Sequence, residues 1–579
     1  MRKMFLRSLS VLSLLMCLAS CSGASSGGGA SGMIKASLLS ISELGSNFDA
    51  NYLPDTSSIK QRSGKIDVCL DFDGNQYGWQ KVATEYQRLH SGQVKVNINT
   101  NYSGTTYGEK LNTELNNTNT DWDICEGNLG YGSTKRACLN VSTFGNMTNS
   151  YCGKNVVWGT VLDDTAFSNV ESGASEVYLI NSETMQSCWF INTVALKAAG
   201  EEGYLNANGE VGNPVTWDDL ISLCSYMEKA GYSHPLGISL ADASVKSLQF
   251  TWLLRIYGDY YYRQFYPYVM SSGDYWDKYD ATAKNVEKFT GFGFSYNKVA
   301  NLMLDETASE GPGYIGFKSE IYKDFVSQLA KMKGHLIANT DVTEFNALRD
   351  QFRMQSLGKN SAQIMLDYVG NGVLYTASQT TDYQIDFFDY PQMMSGYYQD
   401  GEHEGERIVS TDTITRDIGG NGGFLSIIKH IGNSEQDQLN LDFIKFFLSP
   451  YGQTLYYQGM DENNVAPKGL TTVNNNLINI PEKWQTFFSN TDDKISFNGN
   501  VDGNTFIAWG VRYFNGYLNT ENSIVQNWRN LLMTNVGSGT LNVNSFASLW
   551  AEACYQDYLL MCADQQWPTD TYKNFYGNL

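Results

Sequence analysis

From Lys65 onward the chain alternates short apolar runs with amphipathic stretches, and this alternation constrains the fold more than any other feature. Lys65 to Leu70 (KIDVCL) reads as a strand, and the polar, glycine-containing turn DFDGNQYG follows it. Trp79 to His90 carries Val82, Tyr86 and Leu89 at helical spacing. Val94 to Ile98 alternates as a strand, Thr106 to Leu115 reads as a helix, and Trp122 to Cys125 as a third short strand. Strands separated by helices of this length imply βαβ units and a parallel sheet. Ligands of such sheets bind beyond the carboxyl ends of the strands. That rule puts Asp71 to Tyr77 and Glu126 to Tyr131 on one rim.

A second α/β region follows. Thr216 is placed as the N-cap of a helix opening with Trp217, Asp218 and Asp219, whose acidic side chains suit a helix start. Pro235 to Leu240, Gln384 to Tyr390 and Gly423 to Ile428 read as strands. Lys318 to Lys333, Val342 to Met354 and Leu439 to Phe447 read as helices, and the last hundred or so residues as helical patches with Asn/Gly-rich breaks.

The N-terminus carries a different signal. Arg2, Lys3 and Arg7 precede an apolar run that closes on Leu18-Ala19-Ser20-Cys21, the layout of a secretory signal peptide. The run is short for a bilayer core of about 30 Å. Leu18 to Cys21 resembles the bacterial lipobox, which implies cleavage before Cys21 and a lipid on that cysteine. Ser22 to Gly32 (SGASSGGGASG) has the composition of a flexible tether. The expected division is therefore a signal peptide over 1–20 and a lipid-anchored tether over 21–63.

The formal net charge of −21 and the lack of a basic cluster argue against nucleic acid, which is held by phosphate neutralisation. Aromatic residues make up 13% of the chain, 37 of them Tyr and 12 Trp, enough to build both a core and a ring-lined cleft. A pyranose has an apolar face that packs on such rings. The five histidines form no HExxH, and DFDGN lacks the acidic ligand that completes a calcium loop, so neither metal nor cofactor is expected. Asp71 and Asp73, two positions apart on a strand end in an acid-rich chain, are no evidence of the carboxylate separation of a glycosidase, and no enzyme is expected. Eight of the ten cysteines lie beyond Cys21, and among them Cys138 and Cys152 bracket a loop-like stretch and form the favoured disulfide pair.

Several blocks, in order, resemble the extracellular solute-binding proteins of bacterial carbohydrate ABC importers, the family of maltose-binding protein. They are IDVCLDFDGNQYGWQKVATEYQRLHSGQVKVNI, GTTYGEKLNTELNNTNTDWDI, CWFINTVALKAAG, PVTWDDLISLC, GKNSAQIMLDYVGNG, GGNGGFLSIIKH, DFIKFFLSPYGQTLYYQGMDENNVAPKGL and GTLNVNSFASLWAEA. The resemblance implies an α/β, periplasmic-binding-protein-like fold with two lobes joined by crossing hinge strands. The first lobe is expected over 64–180 with a return segment at about 380–470, and the second over 181–380 with C-terminal helices at about 471–579. The chain departs from the family in extra material around 138–172, 266–313 and 393–416, and in Tyr368-Val369-Gly370-Asn371 where the family usually has a tryptophan.

The resemblance also implies partners: a neutral mono- or oligosaccharide, the permease subunits, and the membrane through the lipid, with the protein itself a monomer. From the rim rule and the matching blocks, Asp73, Asn75 and Gln76 are candidates to hydrogen-bond sugar hydroxyls, and Glu126 is the favoured acceptor. Tyr107 either lines the cleft or packs in the core. Trp252, Tyr260 and Tyr261 lie in one aromatic stretch, from which one or two rings are expected at the ligand. Tyr368 and Asn371 occupy the platform block, Asn421 and Phe424 the glycine-rich return, and Trp509 resembles a stacking tryptophan or packs internally. A surface glycan-capturing lipoprotein without a transporter, and a carrier of a non-sugar solute, are the competing readings.

Overall fold

The computed structural model describes residues 32–71, 75–102, 104–117, 120–127, 137–163, 166–167, 176–185, 187–240, 248–265, 268, 296–308, 312–338, 340, 344–394, 396–398, 404–409, 415, 420–467, 469–484 and 528–574. Within them two sheets form. The first contains β1 (Gly64–Cys69), β2 (Val94–Asn99), β3 (Ile124–Glu126), β4 (Ile180–Met185), β9 (Gly420–Ile427) and β10 (Gly469–Thr471), in the order β10-β4-β9-β3-β1-β2. The second contains β5 (Ser187–Asn192), β6 (Leu236–Gly237), β7 (Ile364–Tyr368) and β8 (Ile385–Phe388), in the order β6-β7-β5-β8.

Only β2-β1-β3 is parallel in the first sheet, whereas β9, β4 and β10 add antiparallel pairs. The three strands read as βαβ units are parallel as expected, and the antiparallel additions make the whole sheet mixed. The helix Gln76–Leu89 covers this sheet by burying Trp79, Val82, Tyr86 and Leu89. It starts three residues before the expected Trp79, because the apolar spacing that marks a helix appears only after its first turn.

β4, ending at Met185, belongs to the first sheet and β5, beginning at Ser187, to the second, so the chain passes from one sheet to the other between these two strands. It crosses back between β8 and β9. Ile385–Phe388, expected within the first lobe's return segment, pairs with β5 in the second sheet, and Gly420–Ile427 lies in the first. The C-terminal helix Val543–Gln565 packs on Glu320–Ala330 of the second lobe. Every residue of β5 and of β7 is buried, as expected for central strands covered on both faces. Thr216 caps Trp217–Lys229 reciprocally with Asp219, as its position in the sequence implies.

Residues 33–62, expected as tether, are folded onto the first lobe. Met33 bridges to Lys60, Leu39 N–H donates to the Tyr451 hydroxyl (3.1 Å), and Gln458 Nε2 donates to the Glu43 carbonyl (2.8 Å). The physical reason is Ile34, Leu44, Phe48 and Ile59, which are buried in the core and which a solvated tether would leave in water. The segment beginning at Cys138 joins the same lobe: Trp158 is fully buried and its Nε1 donates to the Leu448 carbonyl (2.8 Å). The cysteines Cys69, Cys125, Cys138, Cys152, Cys188, Cys224, Cys554 and Cys562 are all buried as free thiols, which corrects the expected Cys138–Cys152 bridge. Cys138 bridges Ile428, just past the end of β9, while Cys152 ends a short 3-10 turn in another core cluster. Among the described residues no helix is long and apolar enough to cross a membrane.

Candidate ligand site between the lobes

The first-lobe rim forms where β1 and β3 end. Asn75 stands at the N-terminus of the helix Gln76–Leu89, and its Nδ2 donates to Glu126 Oε1 at 3.4 Å. Glu126 closes β3 and is held through its backbone by Tyr107. That hydroxyl accepts the Glu126 N–H (3.0 Å) and lies at hydrogen-bond distance from the carbonyls of Glu126 (2.6 Å) and Cys69 (2.8 Å). Burial pushes the Tyr107 phenol far above its ordinary range, so it stays neutral and keeps its proton for a carbonyl. Of the two readings left open for Tyr107, the structure shows packing: the ring is buried and stacked on Trp122 at 5.7 Å, and acts on the rim from beneath.

A cavity of about 10 Å³, the room needed by one water, lies beside Glu126. Asn75, Ser182, Glu183, Gln453, Tyr457 and Thr471 are among its walls. Glu183 Oε1 accepts the Gly469 N–H (3.0 Å), and the Tyr457 hydroxyl accepts the Thr471 N–H (3.0 Å). Burial first, and the charge of Glu183 second, push the Tyr457 phenol upward. Among the described residues the lining holds two carboxylates and no basic side chain, a set that suits hydroxyls and disfavours anions. Sequence reasoning missed Glu183, Gln453 and Tyr457. Glu183 lies on β4, whose run INSETM is too polar to mark a strand, and Gln453 and Tyr457 lie on the helix Pro450–Glu462, past the helix Leu439–Phe447 that the spacing predicts.

The second-lobe side is a turn. β7 ends at Tyr368, and Val369–Asn371 continues as one 3-10 turn that lies against β10 of the first sheet. The rings of Trp252 and Tyr368 meet edge to face at 4.8 Å. Both are buried, whereas Asn371 is half-buried. The structure therefore gathers Asn75, Gln76 and Glu126 on one lobe, and Trp252, Tyr368 and Asn371 on the other.

Tyr260 and Tyr261 are not brought there. Tyr261 is fully buried and donates to Asp324 Oδ2 (2.6 Å), and Tyr260 packs against it at 5.8 Å. Phe424 is half-buried in β9 opposite Asn181, and its carbonyl accepts the Gly127 N–H (2.9 Å). Asn421 pairs with Thr184 through the backbone, with its side chain outside the described residues. Asp73, Trp509 and Cys21 also lie outside the described residues. Among the described residues no three His, Cys, Asp or Glu side chains converge on one point.

This architecture has solved counterparts. A chitin oligosaccharide binding protein is 11% identical, with 86% of this chain and 99% of that one covered, at a TM-score of 0.52. The SBP RafE in complex with raffinose is 13% identical over 85% of this chain and 100% of its own, at 0.50. A family 1 extracellular solute-binding protein from Bifidobacterium longum subsp. infantis is 14% identical over 85% and 98%, at 0.48. No protein-family model matches the sequence, and no curated protein matches it. The chain has the two-lobed α/β fold of solute-binding proteins. One further solved structure of this kind is named as the binding protein of an ABC transporter from Bifidobacterium animalis subsp. lactis in complex with mannobiose, 11% identical over 86% of this chain and 97% of its own, at 0.49.

Proposed function

We propose that the protein captures a neutral oligosaccharide between its lobes and hands it to an ABC permease, held at the outer face of the membrane by a lipid on Cys21. The observation that carries this reading is the juxtaposition across the lobes. A rim of amide and carboxylate groups, Asn75 and Glu126, belongs to the lobe whose β10 meets the aromatic-flanked turn Tyr368–Asn371. Amides and carboxylates replace the water lost by sugar hydroxyls, and a ring accepts the apolar sugar face. The solved proteins of the same fold are named for chitin oligosaccharide and raffinose, which supports the choice of ligand class. Among the described residues lining the cavity the charged side chains are the carboxylates Glu126 and Glu183, which supports an uncharged sugar over an anion. Binding and closure are coupled because only a closed form touches the ligand from both sides.

A thermal-shift series of the full chain against chito-oligosaccharides, manno-oligosaccharides and raffinose tests the reading. A ligand bound only by the folded state adds about 2.7 kcal/mol at a hundred times its Kd. One glycan series should raise the transition, and Glu126→Ala should abolish that rise. A folded protein that responds to none of them overturns the sugar assignment. Retention in the membrane fraction, lost in Cys21→Ala, tests the anchor separately.

A further inference from the structure

The turn that meets the first lobe is held from behind by a buried ion pair. Asp367, the residue before Tyr368 in β7, is fully buried. Its carboxylate receives Arg349 Nε and Nη2 in bidentate fashion, each at 2.7 Å. The same two oxygens accept the Tyr368 N–H (2.7 Å), Asn371 Nδ2 (3.1 Å) and the Tyr375 hydroxyl. The Arg349 guanidinium in turn lies 4.2 Å from the Phe345 ring centre and 5.6 Å from that of Tyr368. One carboxylate thus sets the backbone of Tyr368, the side chain of Asn371 and the start of the helix Gly372–Ala377. Asn371 precedes that helix and makes no capping bond with its side chain, whose Nδ2 donates to Asp367.

We propose that Asp367 and Arg349 are positioning residues for ligand binding: they hold the Tyr368–Asn371 turn in its ligand-ready shape without touching the ligand. This rests on the reading of that turn as the second-lobe half of the sugar site. An ionised carboxylate only accepts, so it fixes which end of the Asn371 amide faces it. Nδ2 is committed inward, and the carbonyl Oδ1 is the atom the turn offers to a sugar hydroxyl. Bidentate guanidinium geometry is not reproduced by an ammonium, so Lys at 349 keeps the charge and loses the clamp. A preformed turn spares the ordering cost of binding, so loosening it weakens affinity.

The test uses the full chain and the Arg349→Lys, Asp367→Asn and Asn371→Ala variants. Three quantities are read: hydrogen exchange of the 368–372 amides without ligand, the Kd for the tightest member of the glycan panel above, and the unfolding midpoint. Arg349→Lys and Asp367→Asn should each speed exchange in 368–372 selectively and weaken binding tenfold or more. Asn371→Ala should weaken binding in the wild-type background, and by twofold or less in the Arg349→Lys background, because the clamp acts through Asn371. Binding within twofold of wild type, or fully additive losses in that cycle, overturns the proposal. If Asp367→Asn fails to fold, Arg349→Lys carries the test alone. If the wild-type chain binds no glycan of the panel, the sugar reading falls, and unchanged exchange at 368–372 in Arg349→Lys separately overturns the positioning role.

Discussion

His90 shows how a single side chain ties the acid stability of this protein to its packing. It sits at the C-terminal end of the helix Gln76–Leu89, fully buried, with Nδ1 accepting the Arg62 N–H (3.0 Å) and Nε2 within 3.1 Å of the Tyr151 hydroxyl. Tyr86 and Tyr151 both donate to Asp442 Oδ2, at 2.8 and 2.7 Å. Burial lowers the His90 pKa to about 4, against a smaller upward pull from Asp442 and with a further push down from Arg62. The folded value lies below the unfolded one. Its contribution is therefore complete above about pH 6.5 and is lost as pH falls toward 4, a loss of roughly 3 kcal/mol. His430 works the other way, since its hydrogen bond to Asp123 raises its pKa and adds stability that fades as pH rises. Urea unfolding midpoints measured from pH 7 to pH 4 should fall more steeply in wild type than in His90→Gln, after each is referred to its own pH 7 value. Equal slopes would mean that other groups carry the acid transition. Nothing in the sequence marked His90, because its neighbours Tyr151 and Asp442 are remote along the chain.

Among elements, the crossing of two helices decides where the first-lobe rim stands. The helix Pro450–Glu462 packs against Gln76–Leu89. Close approach is achieved with glycine on both sides: a Cβ on Gly459 would lie 2.6 Å from the Tyr77 carbonyl oxygen, and one on Gly78 would strike the Tyr456 ring. Trp79 stacks on Phe447 at 3.7 Å beside the crossing. The backbone atoms at this contact cannot step aside cheaply, so Gly459→Ala should cost about 1–3 kcal/mol. It should also weaken glycan binding, because Asn75 stands at the N-terminus of the displaced helix. Denaturant midpoints and titrations of the same variant check both, and an unchanged midpoint would show that the helices can slide apart. The helix Gln76–Leu89 was legible from apolar spacing, whereas Pro450–Glu462 lies past the helix Leu439–Phe447 that the spacing predicts. Their glycine contact was not legible, since each glycine reads alone as a weak point in a helix.

For the molecule as a whole, the buried cysteines offer a direct check of the tertiary arrangement. Burial raises the thiols of Cys69, Cys125, Cys138, Cys152, Cys224 and Cys554, that of Cys138 to about 12, so none is a ready nucleophile near neutral pH. A thiol reagent should label none of the eight cysteines beyond Cys21 in the native chain and all of them after denaturation without reductant. A shortfall of two in the denatured sample would restore a disulfide. The sequence by itself determined the layers of this protein, because the period of apolar residues is a local property: β1, the helix after it, β2 and the capped helix at Trp217 stand close to where that period put them. It also determined Asn75 and Glu126 as rim residues, since a strand's carboxyl end follows from chain direction alone. Only the tertiary structure decided that residues 33–62 fold onto the first lobe, that Ile385–Phe388 joins the second sheet, and that Tyr260 and Tyr261 belong to the core. It alone placed Glu183 beside Glu126 and Asp367 behind the turn. Those outcomes depend on which distant segments exclude water together, and burial of that kind leaves no periodic mark on the chain.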